Sequence, residues 1–157
     1  MNLWLVPASN DEAEANLPIT LTRPIGEMRA EHASHPKIAP GGRAWGTRWG
    51  NNGLFARMHP GDYCLFYTRV GGDPRDKAFC WIARVTDTEN NEALSRALWD
   101  SSEFPLVYLI DEVRAIRATQ EHIREQLSEL GVPTPWPLRR LTRVDCSPEV
   151  SAWLESF

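Results

Sequence analysis

Two strand-forming runs close together near the middle of the chain constrain it most. Tyr63 to Val70 reads YCLFYTRV, Ala78 to Val85 reads AFCWIARV, and Gly71-Gly72-Asp73-Pro74-Arg75-Asp76 stands between them. Both runs are rich in residues that fit a pleated, half-buried surface, and the six residues between them are turn formers. They predict an antiparallel hairpin with the turn formers as its loop.

Around the hairpin, strands and helices alternate. Leu3–Val6 is a short apolar run suited to a buried strand, and Ser9 with Glu12 predicts a capping box for a helix over residues 10–16. Residues 18–42 are polar and broken by Pro18, Pro24, Pro36, Pro40 and Gly41-Gly42, which predicts a long, partly irregular excursion with at most one helical turn near Glu27–Glu31. A loop follows, then a short helix over Asn51–Met58 with its apolar face on Leu54, Phe55 and Met58. Asn90–Trp99 reads as a helix, Phe104–Val113 as a third long strand, and Thr119–Leu130 as a helix stopped by Gly131. PTPWPLRRLTRVD is Pro-rich, with a strand as one option toward its end. Ser147-Pro148-Glu149 opens a last helix carrying Trp153 and Leu154. The expected sheet therefore contains Leu3–Val6, Tyr63–Val70, Ala78–Val85 and Phe104–Val113. Helices between strands that are themselves joined by a hairpin imply an α+β domain, with a curved mixed sheet or a small β-barrel.

Composition narrows the function classes. A chain of 157 residues supports one domain, 1–157. The opening MNLWLVPAS has no basic segment followed by a long apolar one, and no apolar run approaches the roughly 20 residues of a membrane span. A cytoplasmic protein without membrane contact is expected. Cys64, Cys80 and Cys146 stand far apart, which gives no metal-ligand spacing and no disulfide framework. Net charge is −4, so a nucleic-acid site has to be local rather than spread over the whole surface. Arg43, Arg48 and Arg57, or Arg139, Arg140 and Arg143, can supply such a patch.

Catalytic signatures are scarce. His32 and His35 lack the Glu and third ligand of a metalloprotease helix, and Asp73-Pro74-Arg75-Asp76-Lys77 is only a faint echo of a metal-dependent nuclease set. No nucleophile elbow, phosphate-binding loop or dinucleotide fingerprint is present. No cofactor or metal is expected, and the chain reads as a binder rather than an enzyme.

Tryptophan is the anomaly: seven of them, at positions 4, 45, 49, 81, 99, 136 and 153. One stretch, Trp45-Gly46-Thr47-Arg48-Trp49-Gly50-Asn51-Asn52, joins flat apolar faces to amide and hydroxyl groups. Such a set can hold a planar heterocycle, since stacking on an aromatic ring contributes on the order of 1–3 kcal/mol per base while amides read the base edge. A methyl group on the base adds roughly 0.8 kcal/mol in a dry pocket.

At these residues the chain resembles the EVE and YTH domains of the PUA-like superfamily. Trp45 in a loop is followed by Asn51 and Asn52, Met58, Gly61-Asp62, Phe66-Tyr67 and Ala83-Arg84-Val85, and Trp99 precedes the Phe104 strand; strand one, with Trp4, also matches. The resemblance spans about residues 2–114. It implies a PUA-like fold and a cage for one modified base, with Trp45 and Trp99 as facing walls, Thr47 beside the first, Asn51 or Asn52 at the base edge, and Trp49 or Trp81 as a third wall. Phosphate contacts are then expected from Arg43, Arg48 and Arg57. Two features depart from the pattern: Trp81 stands where these families usually have Gly, and residues 18–42 have no clear counterpart.

The implied function is reading a flipped modified base in DNA, such as 5-methylcytosine, 5-hydroxymethylcytosine or N6-methyladenine. The setting would be a modification-dependent restriction system, with a linked nuclease domain as a candidate partner. A YTH-type reader of modified RNA is the alternative. A small metal-dependent hydrolase built on His32, His35 and Asp73 is a third reading.

Overall fold

The computed structural model describes residues 1–27, 38, 41–133 and 137–157. The helical turn expected at 27–31 falls mostly outside these residues, as do His32, His35 and Trp136. The apolar opening run forms strand β1, Asn2–Pro7, which is buried except for the half-buried Pro7. Helix α1, Asp11–Thr20, follows. Its cap is Asn10 rather than the expected Ser9: the Asn10 side chain accepts from the Ala13 backbone N–H at 2.8 Å. Asn caps at least as well as Ser, and it lies one residue closer to the first turn. The helix also runs four residues beyond the expected end, through Pro18, so the irregular excursion starts after Thr20 rather than at 18.

Strand β2, Arg43–Thr47, comes next, where a loop was expected. A 3-10 turn at Trp49–Asn51 and the short helix α2, Asn52–Phe55, replace the single helix read over 51–58. The hairpin is present as β3, Tyr63–Val70, and β4, Asp73–Asn90. Its loop is tighter than expected, because Gly71 and Gly72 adopt φ of 59° and 78° and turn the chain almost alone. Helix α3, Glu92–Trp99, is capped by Asn91, and strand β5, Leu106–Ala118, follows. The chain closes with α4 (Gln120–Glu129), β6 (Thr142–Asp145) and α5 (Pro148–Glu155), the last capped by Ser147.

The six strands form one sheet in the order β2-β5-β4-β3-β1-β6. Only β1 and β3 pair in parallel, and every other pair is antiparallel. Of the two expected forms, the curved mixed sheet is found and the closed barrel is not, since β2 and β6 remain edges. Bulges supply the curvature. Between the pairs Ile82↔Arg114 and Arg84↔Asp111, β5 carries one residue more than β4, and Glu112 there adopts a φ of 49°.

Alternation along the strands divides the core between two faces. One face carries Trp4, Val6, Cys64, Phe66, Val85 and Tyr108 under Ala13 and Leu17 of α1. The other carries Leu3, Leu5, Tyr63, Leu65 and Ile82 under α4 and α5. Trp153 packs on that second face, edge to face with Phe157. Near β2, α3 lays Leu94, Leu98 and Trp99 against Ala44, Val107 and Leu109. Among the described residues no helix is long and apolar enough to cross a membrane.

The start of β1 is fixed by one buried carboxylate. Asp62, 1% exposed, accepts from the Asn2 backbone N–H at 2.9 Å, Asn2 Nδ2 at 3.2 Å, Trp4 Nε1 at 2.9 Å and the His59 N–H at 3.0 Å. Removing it strands several buried donors, each costing about 1–3 kcal/mol. Asp62→Ala is therefore expected to lower unfolding stability by on the order of 3 kcal/mol or more. Urea titration checks this; a loss under about 1 kcal/mol would show that water replaces the carboxylate.

Candidate functional site

Pairing of β2 with β5 places Trp45 opposite Tyr108, so both side chains lie on the face covered by α1. Beside them a cleft of about 240 Å³ opens between the sheet, the first turns of α1 and the segment leading into β6. Tyr108 and Val6 belong to its sheet side, Asn10, Ala13 and Asn16 come from α1, and Arg139, Arg140 and Leu141 come from the far segment.

Trp99 forms a wall because of how α3 ends. Asp100 takes the left-handed C-cap conformation, with φ of 56°, and stops the helix just after the indole. The ring then folds over Gly46 on the edge strand, and its Nε1 donates to Thr20 Oγ1 at 3.1 Å. Gly46 permits this approach, since a Cβ there would lie 2.7 Å from Cζ3 and 2.8 Å from Cη2 of Trp99 and 2.9 Å from Cβ of Phe104. Trp45 and Trp99 meet edge to face, with centroids 6.5 Å apart and planes at 70°. They are thus adjoining walls at a corner, where walls facing each other across the pocket were expected. Phe66 and Phe104 continue the same edge-to-face packing on either side.

Polar groups ring the mouth. Asn51 Nδ2 donates to Thr47 Oγ1 at 2.6 Å, which orients the amide with its oxygen away from Thr47. Arg48 pairs with Glu12 at 2.8 Å and Glu103 at 3.3 Å and lies over the Phe104 ring at 5.3 Å. Arg139 and Arg140 are exposed on the cleft rim and have no ion pair among the described residues. Burial, and to a lesser degree the nearby Cys64, push the Tyr108 phenol well above its ordinary pKa, so it stays neutral.

The structure therefore brings Trp45, Thr47, Asn51, Trp99 and Arg48 to one cleft. It does not bring the other expected residues there. Trp49 is 57% exposed on the 3-10 turn. Asn52 is exposed at the start of α2. Trp81 is half-buried in β4, against the core beneath the site. Arg43 opens β2, its buried Nε without a partner among the described residues, and Arg57 is exposed beyond α2. Tyr108, Phe104 and the α1 residues were not anticipated, and Arg139 and Arg140 were visible only as a charge cluster. Among the described residues no three His, Cys, Asp or Glu side chains could hold a metal. Asp73, central to the hydrolase reading, is tied to the backbone N–H of Arg75 at 2.9 Å in the hairpin turn.

No protein-family model matches the chain, and no curated protein matches it. In fold it is similar to the N-terminal domain of Thermococcus gammatolerans McrB bound to m5C DNA, with 17% identity and a TM-score of 0.65. That likeness covers 99% of this chain and 96% of the other. The chain thus shares the α+β fold of that domain, with an open sheet.

Gly46→Ala should force the Trp99 ring off β2, with an overpacking cost of about 1–3 kcal/mol. Gly50→Ala and Gly53→Ala are matched controls, since nothing lies within 4 Å of a Cβ at either position. Thermal unfolding and tryptophan fluorescence should move for the first variant and stay put for the other two.

Proposed function

We propose that this chain reads modified DNA by taking one flipped base into the cleft beside Trp45 and Trp99. The observation that carries this reading is the cleft itself. Two indoles meet at its corner, an oriented amide and hydroxyl pair stands at its edge, and two arginines without ion-pair partners among the described residues stand at its mouth. At about 240 Å³ it falls below the roughly 300–1,000 Å³ typical of sites for drug-sized molecules, which suits a single base. A protein of the same fold was captured with m5C DNA, and this favours DNA as the ligand.

The roles follow from chemistry. Trp45 and Trp99 supply the apolar area that rewards a methylated ring, and Asn51 offers its carbonyl oxygen to an amino group on the base edge. Arg139 and Arg140 take the phosphates next to the extruded nucleotide. Arg48 can join them only by giving up Glu12 and Glu103. Phosphate contacts set affinity without reading sequence, while the cleft supplies the preference. On this reading the chain is the specificity module of a modification-dependent restriction system, and cleavage belongs to a partner domain.

Titrating the protein against paired modified and unmodified duplexes at fixed salt tests the reading. Trp45→Ala should weaken binding to the modified duplex by on the order of 1–3 kcal/mol and erase the preference. Arg139→Ala and Arg140→Ala should weaken both duplexes alike, each lowering the salt slope by about 1. Retention of the wild-type preference by Trp45→Ala would refute the cleft assignment, and tighter binding of single-stranded modified RNA than of duplex DNA would favour the RNA reading.

A further inference from the structure

Tyr108 is fully buried, lines the cleft, and carries a hydroxyl with no hydrogen-bond partner among the described residues. A buried hydroxyl without a partner is a net cost to the fold, because it has given up water and gained nothing. Phenylalanine would fill the same space against Trp45 without that cost. Two other donors at the Trp45 and Trp99 corner have partners: Trp99 Nε1 donates to Thr20, and Asn51 Nδ2 donates to Thr47. Among the described residues that of Tyr108 is the one buried hydroxyl without a partner, and it belongs to a residue that lines the cleft beside Trp45.

We propose that the Tyr108 hydroxyl is the deep specificity contact of this cleft, donating a hydrogen bond to an acceptor on the bound heterocycle, either a carbonyl oxygen or an unprotonated ring nitrogen. The inference rests on the base-reader function proposed above and adds a second point of recognition, opposite in sense to Asn51. Asn51 at the mouth presents an acceptor, and Tyr108 at depth presents a donor. Amino-bearing bases such as cytosine and adenine carry both complements, an exocyclic N–H and a ring acceptor. The protein satisfies its own buried donor only when such a ligand is present, so ligand binding relieves a cost that the empty fold bears.

The test is Tyr108→Phe, compared with wild type in thermal unfolding without ligand and in titrations against duplexes carrying 5-methylcytosine, 5-hydroxymethylcytosine, N6-methyladenine or no modification. The expected result is an unfolding midpoint equal to or above wild type, about ten-fold weaker binding of the preferred modified duplex, and unchanged binding of the unmodified one. Two results would overturn the assignment. A lower midpoint would mean that the hydroxyl supports the fold, and full retention of the modified-base preference would mean that it does not touch the ligand. If wild type itself prefers none of the modified duplexes, the reader function fails, and this contact fails with it.

Discussion

The carboxylate of Asp62 gathers four N–H groups from three places in the chain: Asn2 and Trp4 in β1, and His59 in the turn before β3. A parallel pair of strands has no hairpin to set its register, so something else must. Here the Asn2 and Trp4 bonds hold the first residues of β1 against the start of β3, where Leu3 pairs with Tyr63. A slip of one residue would turn Trp4 from the face under α1 to the opposite face. It would also leave the indole N–H and the carboxylate buried without each other. The position of Val6, and hence one side of the cleft, is downstream of that carboxylate.

On the opposite side of the sheet a small residue has the comparable role. Strand β2 is an edge, and Trp99 and Phe104 wrap over it where Gly46 offers no side chain. This close approach turns a flat sheet margin into a concave wall. The packing that holds α3 on the sheet therefore also builds the site.

The sequence was informative where local and global preferences agree. The hairpin, the Leu3 strand and the later helices could be read because turn chemistry and apolar period point the same way at Gly71-Gly72, Gly131 and Ser147. Strand β2 was hidden because RAWGT has no alternation of its own and is extended only by its ladder to β5. The end of β5 beyond Val113 was missed because RAIRA is polar and follows a bulge, and it pairs with the long β4 rather than following any propensity of its own. Within the site, Trp45, Thr47 and Asn51 stood out because aromatic and amide groups cluster there. Tyr108 did not, because in LVYLI it reads as one more core residue. Trp81, in the strand AFCWIARV, packs against the same core cluster as Trp45 but outside the cleft.

The position of β1 also bears on the order of events in folding. Strands β3, β4 and β5 join sequence neighbours, whereas β1 is held between β3 and β6, the latter drawn from the far end of the chain. Loop-closure entropy delays such distant pairings until near contacts have formed. The hairpin and β5 are therefore the natural nucleus, and β1, α1 and β6 the late additions. The cleft takes Val6, Asn10 and Leu141 from those late pieces and Trp45 and Tyr108 from β2 and β5. It is complete only once the whole chain has folded, so a partly folded molecule would have most of its sheet but only one wall of its binding site.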